Sequence, residues 1–410
     1  MKKLTFVLIC LLLSISSQAR TITVDDDGLA DFNNIQAAIN DANNGDTVVV
    51  ANGIYTGQGN RDIDFLGKAI TVRSIDPNDP NIVAATIVDC NGTDQDNHRG
   101  FYFVNNEGQD SVLEGLTITN GYIELWGGGG AIYIGAASPI INKCTITNNH
   151  AELSDLPGLC YGGGIKIASQ GSPLITNCII NDNSAGPLGH GGGIYCGYES
   201  NATIRNCLIT NNSATGDSSG GGIDCDGNNV TLTNCTIADN SATEWGGGIQ
   251  IWICDSFTVT NCIIWGNSPN QIDIYAPSNM TITYSDVQDG WTGLGNIDAD
   301  PCFTDPGSGD YHLKSQAGRW DPNSERWVID DVTSPAIDAG DHADPIGYEP
   351  FPNGGIVNMG AYGRTSEASK SYFGTEPCKT IVAGDINGDC KVDFLDFAFI
   401  TFHWLEDNSP

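Results

Sequence analysis

A unit of roughly 28 residues recurs five times in the middle of this chain. Each copy pairs a glycine-rich start, which leads into an isoleucine, with a cysteine core of the type Asn-Cys-x-Ile-x-x-Asn. The isoleucines are Ile132, Ile165, Ile194, Ile223 and Ile249, and the core cysteines are Cys144, Cys178, Cys207, Cys235 and Cys262. Because both markers advance together, the repeat predicts one supersecondary unit that is stacked along an axis, a solenoid.

The first residues have the pattern of a secretory signal. Two lysines precede an apolar stretch over residues 4–13, and Ser17-Gln18-Ala19 offers small residues for cleavage. The stretch is too short to span a bilayer, and no other segment is long and apolar enough. We therefore expect residues 1–19 to be a signal peptide. The mature protein should be secreted, or displayed at the cell surface, without a membrane span.

The strong negative charge restricts the partners of the chain. Its formal net charge is −33 at pH 7. Such a surface repels nucleic acid and anionic membranes, so no nucleic-acid partner is expected. It also repels polyanionic sugars unless a divalent cation bridges the two. The alternative is that the acidic residues only keep a large secreted protein soluble.

Alternation along the predicted strands shows which side chains face the interior. In the segment that follows the third glycine run, Ile194 and Cys196 point inward and Tyr195 points outward. The five core cysteines share one column, in which the side chains point the same way. That arrangement is unsuited to disulfides and to a closed zinc site. We therefore expect buried thiols that pack as small apolar side chains.

Asparagine occupies two further columns of the repeat. The residue before each core cysteine breaks the strand alternation and marks a bend, where asparagine tolerates left-handed backbone. Its stacked amides could hydrogen-bond along the axis. This bend column contains Lys143, Asn177, Asn206, Asn234 and Asn261, and a second column that closes the next strand contains Asn149, Asn183, Asn212, Asn240 and Asn267.

These glycine runs and cysteine cores resemble those of exported bacterial right-handed parallel β-helix proteins of the pectate-lyase-like superfamily. The resemblance implies an all-β solenoid with an N-terminal capping helix, which the apolar spacing of residues 31–39 also predicts. The expected divisions are a cap over residues 20–60, coils over 61–290, a C-terminal cap over 291–370, a linker over 371–379 and a small module over 380–410.

The small C-terminal module carries a calcium-binding pattern. Oxygen-bearing side chains and one backbone carbonyl recur at the spacing of a twelve-residue EF-hand-type loop, with an apolar helix after it. The ligands of the expected Ca²⁺ are Asp385, Asn387, Asp389, the carbonyl of Lys391, Asp393 and Asp396. The loop resembles one half of a dockerin, which implies a protein partner. Cys390 replaces the usual glycine and a second loop is missing, so an acidic turn without metal is the alternative.

Candidate catalytic residues lie in the outward column beside the glycine runs. This column contains Tyr133, Lys166, Tyr195, Asp224 and Gln250, and Asp226 and Trp252 point outward two positions further on. The resemblance to pectate lyases would also place an arginine on this face, and none is evident between residues 125 and 290, where the basic residues are Lys143, Lys166 and Arg205.

Two kinds of chemistry fit this column. In a lyase, Lys166 and Tyr195 would serve as base and acid, with calcium held by Asp224 and Asp226. In a glycoside hydrolase, Asp224 would pair with Asp226 or with a carboxylate on a flanking loop.

The sequence thus predicts an exported protein that binds or cleaves polysaccharide on the outward face of one sheet. Catalysis is assigned to Lys166, Tyr195 and Asp224, and substrate binding to Tyr133, Asp226 and Trp252. The alternative is a cell-surface or adhesion protein without enzymatic activity, in which the solenoid is a rigid spacer.

Overall fold

The computed structural model describes residues 19–124, 127–152, 159–227, 229–276 and 279–372, and the single positions 384, 386, 392, 394, 396 and 397. The predicted signal peptide lies outside the described residues except for its last position. Among the described residues, no helix is long and apolar enough to cross a membrane.

Parallel strands dominate the regular secondary structure of the described chain. Three long sheets run along the axis, and their strands alternate in sequence, so one turn of the chain visits each sheet once. The first sheet contains Ile63–Asp64, Phe101–Phe103, Ile132–Gly135, Ile165–Ala168, Ile194–Cys196, Ile223–Cys225, Ile249–Ile251 and Ile272–Ile274. The second contains Thr21–Val24, Thr47–Val50, Thr71–Ser74, Val112–Glu114, Ile140–Asn142, Leu174–Thr176, Thr203–Arg205, Asn229–Thr233, Ser256–Thr260 and Met280–Thr283.

The third sheet and several short ones complete each coil. The third contains Gly53–Thr56, Thr86–Asp89, Thr117–Thr119, Thr145–Thr147, Ile179–Asn181, Leu208–Thr210, Thr236–Ala238, Ile263–Trp265 and Asp286–Val287. A fourth, shorter sheet contains Tyr122–Glu124, His150–Glu152, Ser184–Gly186, Ser213–Ala214 and Ser241–Ala242. The remaining strands form three pairs: Cys160–Tyr161 with Gly189–His190, Phe303–Asp305 with Asp310–Leu313, and Arg319–Asp321 with Arg326–Val328.

The register follows the sequence repeat. Ile132 pairs with Ile165, and the isoleucine of each later glycine run pairs with the next. The predicted right-handed parallel β-helix is therefore confirmed.

The predicted N-terminal helix is present but begins later than the apolar spacing suggested. It spans Ile35–Asp41, and the side chain of Asn34 caps it by accepting a hydrogen bond from the Ala37 amide at 2.8 Å. Asp31 does not cap the helix because its carboxylate accepts from the amide of Thr23. A second short helix spans Pro80–Ala85, and a 3-10 turn spans Pro306–Ser308.

The core cysteines are buried and free, as expected. Each thiol donates to the backbone carbonyl two residues earlier; for Cys207 the acceptor is Arg205 O at 3.1 Å. A thiol that already has a carbonyl acceptor and lies within a close-packed interior behaves as a small apolar side chain.

The axial ladder of amides forms in the second asparagine column and not at the bends. The bends do have positive φ, for example +53° at Asn177 and +49° at Asn234. However, the amide of Asn234 donates to Asn358 O at 3.0 Å, in the C-terminal cap. The ladder joins Asn149, Asn183, Asn212, Asn240 and Asn267, with successive Nδ2–Oδ1 distances of 3.0 Å.

The segment predicted to close the β-helix runs along its side. The Tyr311 hydroxyl donates to Asp239 Oδ2 at 2.8 Å, and Asn206 Nδ2 donates to Gly363 O at 2.6 Å. Both partners in the β-helix border the third sheet. This packing leaves the outward face of the first sheet clear of these contacts.

Candidate functional site

The five outward residues of the first sheet stand side by side. Register pairs Tyr133 with Lys166, Lys166 with Tyr195, Tyr195 with Asp224, and Asp224 with Gln250. Asp273 continues the row at its far end.

A second layer of side chains covers part of this row. Tyr161, His190, Ser219 and Trp245 lie on neighbouring coils and are aligned by backbone pairing. Lys166 and Tyr195 are consequently only 8% exposed each, and Asp224 is fully buried. These side chains therefore point out of the first sheet, as strand alternation predicted, but they are not exposed to solvent. The layer does have a sequence signal, because each member precedes the isoleucine of its glycine run by four residues.

An open groove of about 520 Å³ lies over Lys166 and Tyr195. Its other polar or aromatic lining residues are Tyr161, Ser169, Gln170, Tyr198 and Glu199. Gln170 and Glu199 are joined by a 2.9 Å hydrogen bond. The groove thus combines tyrosine rings, one amine and one carboxylate.

The environment of the groove changes the proton affinities of two side chains. Lys166 Nζ lies 4.7 Å from the ring centre of Tyr161 and 5.8 Å from that of Tyr133. Burial, with a smaller contribution from Arg99, lowers the pKa of Lys166 to about 8. Burial also raises the pKa of Tyr195 well above its usual range. Near pH 8 the amine is therefore partly neutral while the phenol keeps its proton.

Arg99 places a buried guanidinium beside this face, although no arginine was predicted there. It is buried, 4.6 Å from the ring centre of Tyr102, and its Nη1 donates to Gly128 O at 2.7 Å. Burial lowers its pKa. It was missed because residue 99 lies in an irregular coil before the repeats, where no spacing predicts the face.

Asp224 is enclosed by donors. Its Oδ2 accepts from Ser219 Oγ at 2.6 Å and from Trp252 Nε1 at 3.2 Å, and lies 3.2 Å from His190 Nδ1. Its Oδ1 is buried without a hydrogen-bond partner among the described residues. Since Ser219 is also fully buried, this Ser-His-Asp contact does not present a nucleophile.

Asp226 lies near Asp224 but does not complete a calcium shell with it. Burial, and then the charge of Asp224, raise the pKa of Asp226. Calcium takes six to eight oxygens, and Asp224 has only one oxygen left for a cation. The predicted calcium role of this pair would need further ligands.

An aromatic ridge continues the face beyond the groove. We use this name for Trp245, Trp252 and Tyr275, whose successive ring centres are 6.3 and 4.9 Å apart. Trp245 is 45% exposed and Tyr275 is 71% exposed. Of the three, only Trp252 was predicted from the sequence, because it follows the outward residue Gln250 of the repeat by two positions.

Most of the predicted calcium loop lies outside the described residues. This applies to Asp385, Asn387, Asp389, Lys391 and Asp393. Asp396 is described; it is buried, and its Oδ1 accepts from the Ile386 amide at 2.7 Å.

Comparison with known proteins gives a family and a fold. The family model described as "right handed beta helix region" matches residues 52–219 and 190–295. The solved structure of pectin methylesterase from carrot is 11% identical, with a TM-score of 0.37, over 69% of this chain and 87% of that one. Pectate lyase Pel9A is 16% identical, with a TM-score of 0.39, over 85% and 97%. No curated protein sequence matches.

Proposed function

This chain belongs to the right-handed β-helix family, and we propose that it binds polysaccharide in the groove over Lys166 and Tyr195 and cleaves it there. The observation that carries the proposal is the pairing of an amine of lowered pKa with a phenol of raised pKa on the floor of one open groove. Near pH 8 part of the amine is neutral and can take a proton, and the phenol still carries the proton that a leaving oxygen needs.

The reaction that fits these two groups is β-elimination on a uronate-containing chain. The neutral amine of Lys166 takes the proton α to the uronate carboxylate. The bond between the sugar ring and the glycosidic oxygen then breaks, and the hydroxyl of Tyr195 gives that oxygen its proton. Proton return from Lys166 to Tyr195 restores both groups. The products are an unsaturated uronate and a new reducing end.

Hydrolysis fits the groove less well. Glycoside hydrolases generally need two carboxyl groups across the scissile bond. Among the groove-lining residues, Glu199 is the one carboxylate. Asp224 is buried beneath Trp252 and His190, so it is not positioned to pair with Glu199 across a sugar. These observations favour a lyase.

The aromatic ridge provides a surface for sugar rings next to the groove. Exposed aromatic faces bury the apolar face of a sugar, and each such contact contributes about 1 kcal/mol. We expect Trp245→Ala and Tyr275→Ala each to weaken polysaccharide binding by roughly 5- to 10-fold. Equilibrium binding to a panel of acidic and neutral polysaccharides would measure this.

The matched control for the ridge variants is Tyr348→Ala. Tyr348 is 73% exposed and lies in the C-terminal cap, so its loss should leave the affinity unchanged. If the folded wild-type protein binds no member of the panel, the proposal that the groove takes polysaccharide is wrong.

A second candidate function is binding without cleavage, as a surface or adhesion protein. The observation in its favour is that Lys166 and Tyr195 are each only 8% exposed. Binding that persists without any product would select this function.

We also propose that the protein is exported and that its C-terminal loop binds calcium and attaches the protein to a partner protein. The support is the ligand spacing from Asp385 to Asp396. We expect titration calorimetry on the whole chain to lose one calcium site in the double variant Asp385→Ala and Asp393→Ala.

The control for the calcium variant is Asp26→Asn. Asp25, Asp26 and Asp27 are the one group of three acidic or metal-binding side chains close enough to share an ion within the part of the chain that the structure describes. Loss of the calcium heat in this control, with retention in the double variant, would place the calcium site at the N-terminus and contradict the proposal.

A further inference from the structure

Cys225 and Cys254 bring two buried thiols into direct contact. Cys225 belongs to the first sheet, and Cys254 follows the next strand of that sheet, Ile249–Ile251. Their sulfur atoms are 2.7 Å apart. Both side chains are buried, at 0% and 4% exposure.

The stacked core cysteines provide the contrast. Each of them donates to a backbone carbonyl on its own coil, as Cys207 does to Arg205 O at 3.1 Å and Cys235 to Thr233 O at 3.4 Å. In the column, a backbone amide of one coil also donates to the sulfur of the next, as Cys178 N does to Cys207 Sγ at 3.4 Å. For Cys225, the hydrogen-bond contact of the thiol is the sulfur of Cys254.

The backbone between the two coils holds this pair in place. Cys225 pairs in register with Ile251, and the Trp252 amide donates to Cys225 O at 2.9 Å. Cys254 Sγ lies 3.8 Å from the same carbonyl oxygen. The turn therefore folds the second thiol back over the first. In the stacked column, the side chains leave parallel strands in the same direction. Here Cys225 lies in a strand and Cys254 lies in the turn after the next strand, so the two side chains can face each other.

We propose that Cys225 and Cys254 form a disulfide that joins two neighbouring coils of the β-helix. The oxidant is a small-molecule or protein disulfide. The thiolate of one cysteine attacks the oxidant, which forms a mixed disulfide and releases one thiol. The thiolate of the other cysteine then displaces the second thiol. Two electrons pass to the oxidant, and the two protons lost by the cysteines end on the two released thiols.

The disulfide would fix the part of the outward face that carries the acidic and aromatic residues. Cys225 lies between Asp224 and Asp226, and Cys254 follows Trp252 by two residues. Because both thiols are buried in the folded chain, the bond should form during folding or local opening. It should resist reduction until the protein unfolds.

The test is peptide mapping of the full chain after refolding in a buffer of reduced and oxidised glutathione. Free thiols are blocked under denaturing, mildly acidic conditions before digestion. Trypsin is unsuitable because the nearest basic residues are Arg205 and Lys314, so it leaves both cysteines on one peptide. Chymotrypsin cuts after Trp245 and separates them.

We expect a linked peptide pair that contains Cys225 and Cys254, with Cys196 and the stacked core cysteines blocked as free thiols. Cys254→Ser should abolish the linked pair and lower the Tm by about 5 °C under oxidising conditions. When both proteins are refolded and melted in the presence of reductant, so that the bond does not form, the wild type and the variant should melt close together. Blocked Cys225 and Cys254 in the refolded wild type, or a linkage that involves other cysteines, would overturn the proposal.

Discussion

Replacement of Lys166 by methionine should lower the rate of unsaturated product formation by about 10²- to 10⁴-fold, the usual contribution of a positioned general base. Methionine keeps much of the volume and the apolar stem of lysine, so the tyrosine rings on either side retain their packing. The amine is the only part that is removed. Initial rates on an acidic polysaccharide, with circular dichroism as a check on folding, measure the effect.

The pH dependence separates a base from a merely structural lysine. Burial lowers the pKa of Lys166 to about 8, and only the neutral amine accepts a proton. The wild-type rate should therefore rise through about pH 8 as the amine loses its charge. Lys166→Arg should stay protonated throughout and remain inactive.

Arg205→Met serves as the charge-matched control. Arg205 is exposed on the second sheet, so the variant loses one positive charge far from the groove. It should retain the wild-type rate and pH profile. Equal rates in Lys166→Met and the wild type would exclude this lysine as the base.

Replacement of Asn212 by leucine should lower the free energy of unfolding by about 3 to 5 kcal/mol, since several buried polar groups lose their partners at once. Asn212 Nδ2 donates to Ile180 O at 2.8 Å and to Asn240 Oδ1 at 3.0 Å. Its Oδ1 accepts from both nitrogens of Asn183, at 3.1 and 3.0 Å. All of these side chains are buried.

The control for the ladder is Asn229→Leu. Asn229 is exposed on the second sheet, and its side-chain amide donates to Asn201 Oδ1 at 2.7 Å. Leucine there should change stability little because water replaces the lost partner. Urea denaturation of both variants measures the difference. If the two variants have similar free energies of unfolding, the ladder is not a main source of cohesion between coils.

Much of the fold could be predicted because each repeat places the same kinds of side chain at the same positions of its strands and bends. The isoleucine and cysteine columns follow from strand alternation, and asparagine at four of the five bends follows from its tolerance of positive φ. The ladder was assigned to the wrong column because the sequence does not show where the C-terminal cap lies. In that cap, the carbonyl of Asn358 accepts a hydrogen bond from the bend residue Asn234, whereas the column from Asn149 to Asn267 faces the interior.

The site was predicted less completely than the fold. Spacing placed Lys166 and Tyr195 side by side, but it did not show that Tyr161 and His190 lie over the row. The burial of Asp224 and the lowered pKa of Lys166 both result from that covering layer. Arg99 and Tyr275 belong to segments without a repeat, and their positions depend on tertiary contacts alone.

The most direct test of the account is the mass balance of cleavage of a defined uronate-containing oligosaccharide. Elimination divides the substrate without adding water, so the masses of the two products should sum to the mass of the substrate. We expect this sum for the wild type, and for Lys166→Met at least about 10²-fold less product in the same time. Products that together contain one added water molecule would identify a hydrolase, and the absence of products from the folded wild type would exclude cleavage; either result would contradict the account.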